Sequence, residues 1–140
     1  MRSKTKTVTK KSLSPRVIAF CCEHSGYLAG KTAEINKTVP PDNFALVQYP
    51  CTGRIEPLHI LKAFENGWDG VAILACYEGA CKYLRGNIRA KKRVVYTQKL
   101  LSEAGIEPER LRFYNLSSGQ WREFARITED MMKQIGSIKL

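Results

Sequence analysis

The chain has 140 residues, 44% of them hydrophobic, and a formal net charge of +10, a length that suits one domain with a core of its own. No apolar run approaches the ~20 residues of a membrane span, and the basic N-terminus lacks the apolar segment of a secretion signal, so a soluble, cytoplasmic protein is expected. The charge is uneven: residues 1–16 and 82–99 hold thirteen of the 23 Lys and Arg and none of the 13 Asp and Glu. Such patches suit an acidic partner, whereas no helix-turn-helix, zinc-finger or RNP signature speaks for nucleic acid. For residues 1–16 a solvated tail is the plainer reading.

Taken in order, residues 1–14 are polar and basic, which predicts a disordered tail and leaves 15–140 as one domain. A strand is expected over Arg16–Cys22, continuously apolar from Val17 as if buried on both faces. A short helix should cover Gly26–Asn36, ended by Pro40-Pro41, followed by a strand over Phe44–Tyr49. The next helix starts near Pro57, a favoured first-turn residue, and stops at Gly67, with Leu58, Leu61 and Phe64 on one face. A third strand, Gly70–Cys76, leads to a helix from about Asn87 to Gly105, where Ala90, Val94, Thr97, Leu101 and Ala104 recur at helical spacing. A last strand, Leu111–Leu116, precedes a Ser117/Gln120 capping box and a helix with the stripe Trp121, Phe124, Ala125, Thr128, Met132 and Ile135. This alternation predicts a doubly wound α/β fold, a mostly parallel four-stranded sheet with helices on both faces, flavodoxin-like or Rossmann-like. Ligands of such sheets bind beyond the carboxyl ends of the strands.

The five cysteines fall toward that end. Cys21 and Cys22 close the first strand, Cys51 follows the second, Cys76 closes the third and Cys81 lies in the loop after it. In a chain without a secretion signal, thiols point to metal or redox use before disulfides. Backbone N–H groups beyond a strand and nearby helix N-termini favour thiolate, and four thiolates hold an iron–sulfur cluster. The candidate ligands are Cys22, Cys51, Cys76 and Cys81. Cys21 alternates with Cys22 and should face the other way; a small apolar role is preferred for it, which leaves it a spare. Gly53, Gly79 and Gly86 would let backbone approach a cluster closely. The Cys76-x4-Cys81 spacing is too long for a zinc knuckle and matches the first spacing of plant-type [2Fe–2S] proteins.

Neighbouring residues carry weaker signals. His24 is either a hydrogen-bonding neighbour of the site, the commoner case, or a group that ligates iron or couples a proton to an electron. Arg54 either steadies an anionic cluster or partner carboxylate, or is a surface arginine. Ser25–Thr32 departs from the phosphate-loop pattern G-x4-G-K-[ST] only at Ser25, which keeps open a cluster-free, flavodoxin-like structural or nucleotide-binding subunit. A thiol–disulfide enzyme would want the C-x-x-C that the chain lacks.

Four segments together resemble the MvhD-type family, the iron–sulfur delta subunit of methyl-viologen-reducing hydrogenase. They are Phe20-Cys21-Cys22, Cys51-Thr52-Gly53-Arg54, the DGVAILACYEGACKYLRGN stretch from Asp69 to Asn87, and LLSEAGIEPERLRF from Leu100 to Phe113. The resemblance covers about residues 16–130. It implies a non-catalytic electron-transfer subunit carrying a [2Fe–2S] cluster on ligands drawn from Cys22, Cys51, Cys76 and Cys81. The implied partners are a heterodisulfide reductase A-like flavoprotein and a hydrogenase, formate dehydrogenase or other oxidoreductase. One departure stands out: the family has C-x-x-C at the end of strand 1, and Ser25 stands here in place of the second cysteine. The basic residues Arg89, Lys92 and Arg93 are expected to dock an acidic partner surface.

Overall fold

A computed structural model describes residues 15–39, 42–77 and 85–139. The expected tail and Pro40-Pro41 lie outside these residues. Four strands, β1 (Val17–Cys22), β2 (Phe44–Tyr49), β3 (Gly70–Ala75) and β4 (Leu111–Asn115), alternate with four helices, α1 (Gly26–Ile35), α2 (Pro57–Glu65), α3 (Gly86–Glu103) and α4 (Trp121–Lys139). The strands form one all-parallel sheet in the order β2-β1-β3-β4, the expected doubly wound arrangement. The central strands β1 and β3 are apolar along their length because helices cover both faces. The edge strands admit polar residues, Gln48 on β2 and Arg112 on β4.

Strand alternation splits the core in two. Val17, Ala19 and Cys21 of β1 face α1 and α4, where Ala29, Phe124 and Ile135 are buried. Phe20 of β1 and Ile73 of β3 face α2 and α3, where Ile60, Val94 and Leu101 are buried. Three stripes differ in detail from expectation. On α2 the buried positions are Ile60 and Ala63, while Leu58 in the first turn projects into solvent at 61% exposure. On α4 the burial runs through Phe124, Ile127, Thr128, Met131 and Ile135, leaving Trp121, Ala125 and Met132 at the margin. On α3 Ala104 falls past the last turn and is exposed.

The helix ends follow one chemistry. In α1, Thr38 N–H donates to Ala33 O and Lys37 N–H to Glu34 O; α2 repeats the pair with Trp68 to Ala63 and Gly67 to Phe64, and α3 with Ile106 to Leu101 and Gly105 to Ser102. Each is a Schellman closure with a left-handed residue, at Lys37 (φ 57°), Gly67 (φ 96°) and Gly105 (φ 85°). The first helix is therefore closed at Lys37, before the prolines are reached. At the start of α4 the Gln120 side chain accepts from Ser117 N–H at 2.9 Å, the return half of the expected capping box.

Candidate metal centre

A parallel sheet flanked by helices sets all four helix N-termini at the carboxyl end of the strands, where their dipoles favour negative charge. The first turns of α1, α2 and α3 carry no Asp or Glu. At this end β2 runs into a 3-10 turn, Thr52–Arg54, that packs against β1, β3 and α3. Since β1 lies between β2 and β3, the turn reaches across the end of β1. It thereby brings Cys51 into contact with Cys76, and both thiols are buried, at 6% and 7% exposure.

The surrounding backbone is close. A β-carbon on Gly53 would stand 2.8 Å from Gly86 Cα, so only glycine lets the turn rest on the start of α3. Gly53 N–H donates to Cys51 Sγ at 3.4 Å. The Cys76 carbonyl, one residue beyond β3, accepts from Asn87 Nδ2 at 3.0 Å and from Asn115 Nδ2 at 2.7 Å. Arg93 donates from Nη1 to Gly53 O and, at 3.1 Å, to Ile55 O, with the Glu56 carboxylate 3.7 Å away. Asn115 and the carbonyl-clamping role of Asn87 were not read from the sequence. The only signal was an Asn beside Gly at the start of a helix, where a short amide reaches the preceding loop.

The other predicted positions fall as follows. Cys22 closes β1 beside Tyr49 of β2 and is buried, but it is not part of the Cys51–Cys76 contact. Cys21 sits in the opposite core among α1 and α4 residues and donates to Ala19 O at 3.6 Å. Burial, with smaller contributions from Cys22 and Glu34, pushes its thiol well above the usual range. Ser25 precedes α1 and is buried, with no partner for its hydroxyl. His24 Nε2 lies 3.4 Å from Glu23 Oε2, and Arg54 is exposed on the rim. Arg89 and Lys92 are exposed on α3, whereas Arg93 has its guanidinium turned to the carbonyls of the turn. Gly26–Thr32 is helical from its first residue, with Gly26 and Gly30 buried against the core, and does not form a phosphate-cradling loop.

Among the described residues no three His, Cys, Asp or Glu side chains group as a metal site, and Cys81 lies outside them. The donors fit a cluster in kind: the side chains of Cys51 and Cys76 are buried and in contact, and thiolates in sets of four hold iron–sulfur centres.

Residues 17–139 match the family model for FlpD, the methyl-viologen-reducing hydrogenase delta subunit. The chain is 37% identical over 125 residues to the iron–sulfur subunit of a vhu F420-non-reducing hydrogenase from Methanopyrus kandleri, covering 87% of this chain and 95% of the relative. It is 36% identical over 121 residues to the iron–sulfur subunit of the vhc F420-non-reducing hydrogenase from Methanococcus voltae, covering 86% and 84%. It is also 30% identical over 128 residues to the A-type subunit of a ferredoxin:CoB-CoM heterodisulfide reductase from Methanosarcina mazei. That match takes in 91% of this chain but only 16% of the much longer relative.

Proposed function

The chain belongs to the methyl-viologen-reducing hydrogenase delta-subunit family, and from that premise we propose that it is an electron-transfer subunit holding one [2Fe–2S] cluster. Cys51 and Cys76 serve as two ligands, and Cys22 and Cys81 complete the set. The observation that carries this reading is the buried contact between Cys51 and Cys76, brought from two strands that are not neighbours in the sheet. The relatives named iron–sulfur subunits support the cofactor class, and the Cys76-x4-Cys81 spacing supports the [2Fe–2S] type.

When bound, such a centre supplies one-electron redox chemistry. The chain's own residues supply the setting. The Thr52–Arg54 turn packs against β1, β3 and α3 beside the buried thiols, Gly53 N–H donates toward Cys51 sulfur, and helix N-termini stabilise negative charge. A heterodisulfide reductase A-like flavoprotein is the proposed partner, because a stretch similar to this chain is built into a longer heterodisulfide reductase protein. A hydrogenase or other oxidoreductase supplies or takes the electrons.

The test is anaerobic purification of the whole chain with iron and sulfide assays, absorption spectra and electron paramagnetic resonance. About two irons and two sulfides per chain with a reducible signal are expected. Cys51→Ser and Cys76→Ser should lose the signal and Cys21→Ala should keep it. A colourless, iron-free preparation, or a full signal in both serine variants, overturns the reading.

A further inference from the structure

The carbonyl of Cys76 accepts two side-chain amides from separate elements, Asn87 of α3 and Asn115 of β4. Asn87 also donates to the Tyr77 carbonyl at 2.8 Å, so both hydrogens of its amide go to consecutive backbone oxygens. This settles its orientation, since the flipped amide would face oxygen to oxygen. Its Oδ1 is then left buried without a partner, and the residue is 1% exposed. A buried acceptor with no donor costs stability, and such exceptions call for an explanation. Asn87 directly follows Gly86, the residue on which the Gly53 turn rests. The first turn of α3 thus touches both thiol-bearing segments.

We propose that Asn87 and Asn115 are positioning residues for the Cys51–Cys76 thiol pair: by clamping the Cys76 carbonyl between α3 and β4 they fix the separation and direction of the two sulfurs. The tuning of a cluster by this clamp rests on the function proposed above; the clamp's hold on the thiol pair does not. Asn87→Asp keeps the shape but replaces the donor amide by a carboxylate that faces the same two carbonyls. Asn115→Ala removes the second donor from the end of β4 and leaves α3 intact.

Two measurements on the full chain test this. In iron-free, reduced protein treated with diamide, the rate of Cys51–Cys76 disulfide formation is followed by peptide mapping. Misplacement by about an ångström should slow it by roughly tenfold or more in either variant, while Cys21→Ala leaves it unchanged. In iron-loaded protein both variants should keep the iron content yet shift the paramagnetic g values and the midpoint potential. Should Asn87→Asp fail to fold, Asn115→Ala carries the test by itself. Wild-type crosslinking rates in the folded variants overturn the positioning role. An iron-free wild type overturns the cluster reading and leaves the crosslinking comparison standing.

Discussion

Gly53 shows how little slack a single position has. With Gly86 Cα 2.8 Å from where its β-carbon would be, Gly53→Ala must push one backbone off another. Urea unfolding should show a loss of about 1–3 kcal/mol. Gly119→Ala, with nothing within 4 Å of the added carbon, should stay within about 0.5 kcal/mol of the parent. Cys21 gives a prediction in pH. Burial raises its thiol in the folded chain, so the native state holds a proton that the unfolded chain gives up above the ordinary value of 9.0. Its contribution is complete below that value and is lost as pH rises beyond it. Tyr114, also raised chiefly by burial, acts in the same sense. Urea midpoints between about pH 8 and pH 10.5 should therefore fall less steeply in Cys21→Ala than in the parent.

Among the elements, α1 and α2 offer direct tests of what places their residues. Lys37 closes α1 in the left-handed region where α2 and α3 have glycine, a conformation that costs a side-chain-bearing residue about 1–2 kcal/mol. Part of that is offset by the greater freedom of an unfolded glycine, so Lys37→Gly should stabilise by up to about 1 kcal/mol in thermal or urea unfolding. On α2, Ile60→Ala should cost about 2–5 kcal/mol and Leu58→Ala about 0.5 or less, because Ile60 is 1% and Leu58 61% exposed. Apolar spacing alone made Leu58 part of the stripe. It could not show which turn of α2 meets the core, and the first turn does not. The same limit applies to α4, where the buried line runs through Ile127 and Met131 beside residues that fit the helical period equally well.

For the whole molecule, the question is which surface meets a partner. Arg89 and Lys92 lie exposed on α3, near the end of the sheet that carries the thiols, while Arg93 is engaged with Gly53 and Ile55. Exposed charges steer association more than they stabilise the fold. Arg89→Glu with Lys92→Glu should leave the unfolding temperature within about 2 °C of the parent. The double variant should also weaken binding to a heterodisulfide reductase A-like flavoprotein. Its affinity, titrated from about 50 to 300 mM salt, should vary less than the parent's. An unchanged affinity and salt slope would remove α3 from the docking surface.

The residues by themselves determined the alternation of strands and helices, the parallel sheet buried on both faces, and the placing of four cysteines near strand ends, because apolar period and turn chemistry are local. Tertiary structure decided which of those sulfurs meet. Cys51 touches Cys76 because the sheet order puts β1 between their strands and the turn after β2 bends across it toward α3. It can rest there only because Gly53 lacks a side chain where it meets Gly86, and the Cys76 carbonyl is held by amides 11 and 39 residues away in the chain. Contacts of that range depend on how layers stack, which no local pattern along the chain encodes.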